Sequence, residues 1–347
     1  MSVSNSQRVP QWMSIQYLRA IAALMVVLHH VRNPEPWLFN PLSGVTFGQA
    51  GVDIFFVISG FIMYAAARDE APGTFVYRRL VRVAPLYWCA TLIAMPIFYR
   101  AFLVKLDPQL FGALAQSLAF IPHYNLAHPT EIWPLLVPGW TLCYEMFFYL
   151  IFAVALWRGR VLPVVVVITA AVVAIGLFHR GDSAIWRTYT DPIILEFTLG
   201  LLLARVVTFW ERGMVAAALV LLPIGLVVLP LTVEPGPWRV LQWGVPALML
   251  VAGALALEAR GALPRSRALK SLGDASYSLY LVHPIVIAVM AKVVQKLPVH
   301  GWSQFIVMIV LCMLASTAAG LVVHVGVEKP LLRALRRGGR QPVPVAG

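Results

Sequence analysis

Ten stretches of roughly 18–23 mainly apolar residues follow one another along this 347-residue chain, each long enough to cross the hydrocarbon core of a bilayer. They cover approximately residues 14–33, 49–67, 83–103, 140–157, 161–178, 191–208, 214–231, 238–257, 275–294 and 303–325. Backbone polar groups inside lipid must be satisfied within the segment, so each stretch reads as a helix. The sequence therefore predicts an all-α polytopic membrane protein, a bundle of about ten transmembrane helices. Composition agrees. Sixty per cent of residues are hydrophobic and only 12% are charged, against roughly 25% charged in ordinary soluble domains. A soluble core of this size would still need a charged coat.

The basic residues fix an orientation. With residues 1–13 placed in the cytoplasm, eighteen of the 27 Lys and Arg residues fall on the cytoplasmic side and eight on the other, Arg19 lying within a span. That bias predicts cytoplasmic N- and C-termini. The chain then divides into an N-terminal segment (1–13), a transmembrane domain (14–330) and a basic, mobile cytoplasmic tail (331–347). The start of the chain has one arginine and no small-residue cleavage site, so the first stretch reads as a retained span. Segment 104–139 is long enough to hold a re-entrant piece around Phe111–Ile121. The net charge of +12 sits in short clusters between spans and not on one face, which argues against a nucleic-acid partner. Cys89, Cys143 and Cys312 have neither metal nor redox spacing and read as buried structural thiols; no metal site is expected.

Ionisable groups within spans are costly, so each is a functional candidate. Arg19 and His30 stand eleven residues apart, about three helical turns or ~16 Å of rise, on nearly one helix face. Small Ala22 and Ala23, with Val26, lie between them and suit close helix contact or a narrow channel. His29 points elsewhere and reads as an interfacial histidine. Asp53 opens the second span and Glu145 lies one turn inside the fourth, both at the depth of His30 under the predicted topology. A carboxylate beside an imidazole would orient it as a general base; Asp53 reads equally as a charge at its own helix N-terminus. Arg78, Arg79 and Arg82 precede the third span. They serve either topology or the bidentate binding of phosphates. His283, followed by Pro284, marks either a broken helix lining a cavity or a hydrogen-bonded core residue.

Five blocks in order carry a resemblance: Leu18-Arg19 to His30, Gly51-Val52-Asp53 to Phe61, Arg78 to Arg82 with Pro85-Leu86-Tyr87-Trp88, Trp140-Thr141-Leu142 to Glu145-Met146-Phe147-Phe148-Tyr149, and Tyr277 to His283-Pro284. Together they resemble the acyltransferase-3 family of bacterial membrane O-acyltransferases, over about residues 14–330. The opening Ser14-Ile15-Gln16-Tyr17-Leu18-Arg19 looks most like members that acetylate exopolysaccharide. The resemblance implies His30 as the essential histidine, Arg19 as its paired arginine, Arg79 and Arg82 as acyl-donor ligands with Arg78 beside them, and Glu145 as the glutamate of the fourth block.

The expected activity is transfer of an acyl group, chiefly acetyl, from cytoplasmic acyl-CoA to a hydroxyl of an exported or lipid-linked carbohydrate. No permanently bound cofactor is expected, since the acyl-CoA is a substrate. His30 is the expected base, with Glu145, Asp53 and Arg19 assisting. Trp140, Tyr144, Tyr149, Ser59, Tyr277, Tyr280 and His283 line the expected substrate channel. The expected surroundings are the bacterial inner membrane and polysaccharide assembly or export proteins. A secondary transporter is the alternative reading; it would carry paired broken helices and give the arginine cluster no substrate role.

Overall fold

The computed structural model describes residues 12–32, 38–179, 181–231, 236 and 238–338. Most of segment 1–13 and the tail beyond 338 lie outside them. Among the described residues every regular element is helical: α1 (Met13–Val31), α2 (Gly51–Ala67), α3 (Pro72–Phe98), α4 (Arg100–Val104), α5 (Pro108–Leu118), α6 (Gly139–Trp157), α7 (Val161–Phe178), α8 (Ala184–Tyr189), α9 (Leu195–Val207), α10 (Arg212–Leu231), α11 (Val245–Ala259), α12 (Arg267–Asp274), α13 (Ser276–Val294), α14 (Gly301–Val323) and α15 (Lys329–Gly338).

Among the described residues nine helical stretches are long and apolar enough to span a bilayer, one fewer than the sequence predicts. The difference is segment 191–208. Asp191 caps a single 3₁₀ turn, Pro192–Ile194, and α9 then runs for only 13 residues. This short helix lies alongside α2 in extremely close contact. A Cβ on Gly60 would sit 1.8 Å from the Phe197 carbonyl oxygen, and one on Gly200 would sit 1.9 Å from that of Val57. Each glycine thus fills the gap over the other helix's backbone, as small residues do where membrane helices cross. Asp53 also faces Glu196, and Phe56 stacks on Phe197 at 4.4 Å. The two helices therefore run in the same direction.

Two other boundaries differ from expectation, the start of α3 and the end of the last helical segment. Helix α3 begins at Pro72 and runs 27 residues, so Arg78, Arg79 and Arg82 lie within it and not ahead of it. Pro72 sets the start, since proline is compatible with the first turn, while Pro85 and Pro96 are absorbed inside. Segment 104–139 contains α5, whose C-terminal Leu118 carbonyl accepts from Trp88 Nε1 of α3 at 2.8 Å. Residues 331–338, assigned to the tail, continue as α15, which is tied to α3 by the Tyr77 hydroxyl donating to the Leu335 carbonyl. Cys89 is exposed, whereas Cys143 and Cys312 are buried as expected.

Helix α1 sits centrally, touching α2, α11, α12, α13 and α14, with Ala20, Ala22 and Ala23 fully enclosed. Its first turn leaves N–H groups without intrahelical partners. Glu258, at the end of α11, accepts from the Met13 and Ser14 amides at 2.8 and 3.0 Å and from the Ser14 hydroxyl at 2.5 Å. A carboxylate from a distant helix thus caps α1 and complements its dipole.

Candidate active site

Two chambers lie end to end in the bundle. The first, of about 110 Å³, is lined by Arg19 from α1, Arg79 and Arg82 from α3, Ser59 from α2, Glu145 and Tyr149 from α6, and Tyr277 from α13. Arg79 and Arg82 are three residues apart and share a helix face. None of these arginines forms a salt bridge among the described residues. Arg79 lies over the Phe75 ring at 5.4 Å, and its Nε is buried without a partner. Glu145 accepts from the Tyr149 hydroxyl and from Ser59 at 3.4 Å. Uncompensated buried charge is expensive. Three guanidinium groups facing one narrow space beside a single carboxylate have the chemistry to hold a polyanion. Arg78 is not part of it: its side chain is 56% exposed and pairs with Glu70 at 2.7 Å.

The second chamber, about 590 Å³, has the size of a small-ligand pocket. His29 and His30 line it from α1, Trp140 and Tyr144 from α6, and Arg239 from the segment preceding α11. Residues Thr130–Pro134 of the loop before α6 close its side. That loop is anchored by Asn125, whose Nδ2 donates to the Tyr99 hydroxyl at 2.7 Å and the Trp133 carbonyl at 3.2 Å. Val52 and Tyr280 line both chambers, so the two abut at their level. The Tyr280 hydroxyl is held at this neck by Thr141 at 3.0 Å and the Pro138 carbonyl at 3.3 Å.

Two imidazoles meet here, with ring centroids of His30 and His283 4.8 Å apart. His30 Nδ1 lies 2.9 Å from the Val26 carbonyl. A carbonyl can only accept, so Nδ1 carries the proton and Nε2 keeps its lone pair. His283 is set by the same logic with a different cause. Pro284 has no N–H to give the Tyr280 carbonyl four residues earlier, and His283 Nδ1 takes that carbonyl instead, at 2.7 Å. Its Nε2 is buried without a partner. Helix α13 continues unbroken through Pro284, and His283 is fully buried beside His30, outside the walls of either chamber. His29 Nδ1 instead accepts from Arg32 at 2.8 Å.

The carboxylates that the sequence places beside His30 are elsewhere. Asp53 accepts a bidentate pair of bonds from Arg239, Nε to Oδ1 at 3.0 Å and Nη2 to Oδ2 at 2.8 Å, and Glu145 faces the arginines. Both acids find a nearer cation or hydroxyl, and the imidazole is oriented by its own helix. Among the other calls, Trp140 and Tyr144 face the histidine chamber, Ser59, Tyr149 and Tyr277 the arginine chamber, and Tyr280 both. Sequence reading misses Arg239, counted only among the cations of the far side and its helix ends, and the acids around it, Asp191 and Glu196. It also misses Glu258, a span-end acid whose partner is 245 residues away. An acid within a span, as at Glu196, was the one available signal.

Comparisons with known proteins identify the family. The exopolysaccharide production protein ExoZ of Rhizobium meliloti is 38% identical over 299 residues, covering 83% of this chain and 90% of that protein. The acyltransferase MdmB of Streptomyces mycarofaciens is 29% identical over 380 residues, covering 98% and 96% of the two chains. No solved structure matches. The family model for the acyltransferase-3 domain matches residues 12–321, a span that contains both chambers, and the chain belongs to that family of membrane acyltransferases.

Proposed function

We propose that the protein transfers an acyl group, most simply acetyl, from a coenzyme A thioester to a hydroxyl of an exported carbohydrate. One observation carries this reading: a chamber lined by three arginines without a salt bridge among the described residues abuts, at Val52 and Tyr280, a larger chamber lined by an imidazole with a bare Nε2. Arginine forks suit the phosphates of coenzyme A. The narrow arginine chamber suits an extended arm, and the larger one, with Trp140 among its walls, suits a sugar. The kinship with an exopolysaccharide production protein supports a polysaccharide acceptor.

In this reading the arginine chamber opens to the cytoplasm and the histidine chamber to the far side of the inner membrane, as the distribution of Lys and Arg predicts. Both termini are then cytoplasmic, with α9 counted as a short tenth crossing. Arg19, Arg79 and Arg82 hold the donor, and its thioester reaches the neck. The acceptor hydroxyl oxygen attacks the thioester carbonyl carbon while His30 Nε2 takes its proton. The carbon–sulfur bond breaks, and the thiolate leaves with the proton returned by His30. The Val26 carbonyl, which fixes the tautomer, stabilises the transient imidazolium through Nδ1–H.

Mass spectrometry of surface glycans tests the reading directly. Cells with the wild-type protein carry one additional acyl unit per modified sugar, and cells with His30→Ala lack it although the protein is inserted at normal levels. Retention of the acyl mass in that variant would remove His30 as the base; identical masses with and without the protein would remove the acyl-transfer function.

A further inference from the structure

Two guanidinium groups line the histidine chamber; the Arg187 side chain is 54% exposed and pairs with Asp182, whereas Arg239 has its orientation fixed on two sides. Asp53 binds its Nε and Nη2 edge, and the Trp243 and Trp140 rings lie 5.0 and 5.9 Å from its central carbon. The segment following it, Val240–Gly244, is a π-helical turn, a form that is rare and frequent at functional sites. Asp53 is completely enclosed, while Arg239 keeps 20% of its side-chain surface open. That open part faces the chamber, because Arg239 is one of its walls. Nη1 takes no part in the pairing with Asp53.

We propose that Arg239 orients the acceptor. Its Nη1 donates to a hydroxyl or ring oxygen of an uncharged sugar unit, Trp140 lies beside that sugar, and Asp53 is a positioning residue that holds the guanidinium from behind. The charge balance selects a neutral ligand. Arg239 is already matched by Asp53 and the outlying Arg187 by Asp182, so an anionic sugar finds no unmatched guanidinium here of the kind the arginine chamber offers. The assignment rests on the acyl-transfer reading and gives Asp53 a role other than partner of His30.

The test uses full-length protein in detergent or nanodiscs, radiolabelled acetyl-CoA, and chemically de-O-acylated surface polysaccharide from the same cells as acceptor. Arg239→Gln raises the acceptor KM about tenfold or more, the scale of one charge-assisted hydrogen bond, and leaves the acetyl-CoA KM within about twofold. Asp53→Asn moves the same constant in the same direction by less. Removing one partner of a buried pair can unfold a protein. Arg239→Lys and the Asp53→Asn/Arg239→Gln double variant therefore accompany the single changes: the first keeps a cation against Asp53 without the fork, the second leaves no unpaired charge. Both raise the acceptor KM under the proposal. An unchanged acceptor KM in both, or a rise confined to acetyl-CoA, overturns it. Polysaccharide whose uronic carboxyls have been reduced to hydroxyls remains an acceptor of undiminished efficiency; loss of transfer to it overturns the neutral-sugar assignment. Failure of the acyl-transfer reading is separate, since the wild-type protein would then transfer no label to any acceptor.

Discussion

The two chambers share the walls at Val52 and Tyr280 but treat charge in opposite ways. In the arginine chamber Arg19, Arg79 and Arg82 have no salt-bridge partner among the described residues, and Glu145 is occupied by Tyr149 and Ser59. In the histidine chamber the one deeply placed guanidinium, Arg239, is matched by Asp53 before any ligand arrives. On the proposed reading, three unmatched cations in one space suit an anionic guest and the paired cation in the next suits a neutral one. The histidines lie only on the neutral side. In the proposed reaction the arginine chamber binds the donor and the histidine chamber reacts.

The largest effect should come from the reacting side. His30→Ala removes a lone pair that is fixed by a defined tautomer in a wall of the larger chamber, so transfer falls by about 10²–10⁴-fold, the usual worth of a positioned base. Binding of acetyl-CoA to the purified variant, measured by equilibrium dialysis, stays near wild type. Loss of donor binding along with transfer would break the separation of the chambers. Arg79→Ala and Arg82→Ala probe the binding side. Each removes a charge-assisted contact and raises the acetyl-CoA KM by about 10–100-fold, with the acceptor KM unmoved. Dephospho-coenzyme A thioesters sharpen this prediction, because a donor lacking one phosphate should lose less on removal of an arginine than the full donor does. Arg78→Ala is the internal control: that side chain is bonded to Glu70 outside the chamber, and its removal leaves both constants within about twofold.

How much of this was legible in the sequence depended on how far each signal reaches along the chain. The eleven-residue spacing of Arg19 and His30 is a local helical fact, and the structure puts one in each chamber on opposite ends of α1. Arg79 and Arg82 were legible for the same reason. The partner of His30 was not, because the candidate acids were matched to it by depth alone, and depth does not say which way a side chain turns. Asp53 turns to Arg239, 186 residues away, and no periodicity records that pairing. The tenth span failed on length: residues 191–208 are apolar enough, but Asp191 and Pro192 set the start of the helix late. Its packing face was written in glycine, which hydropathy scores only weakly. At His283-Pro284 the sequence leaves two readings open, a broken helix lining a cavity or a hydrogen-bonded core histidine; α13 runs unbroken and the buried His283 is bonded to the Tyr280 carbonyl, as in the second.

The smallest predicted effect concerns what the chambers have in common. Helix α1 brings Arg19 to one and His30 to the other, and its first turn is capped by Glu258 together with the Ser14 hydroxyl. Ser14→Ala leaves both amide bonds to Glu258 and deletes only the hydroxyl contact, a loss of about 1 kcal/mol on the scale of helix caps. Because the fault lies at one end of a helix that serves both sites, it should lower the thermal midpoint of the purified protein slightly without favouring either substrate. The acetyl-CoA and acceptor KM values then move together, by less than about twofold. A selective change in the donor constant would mean that α1 shifts as a lever, displacing Arg19 at the capped end while His30 stays pinned near Val26. In that case the two chambers would be coupled through the helix and not merely adjacent at Val52 and Tyr280.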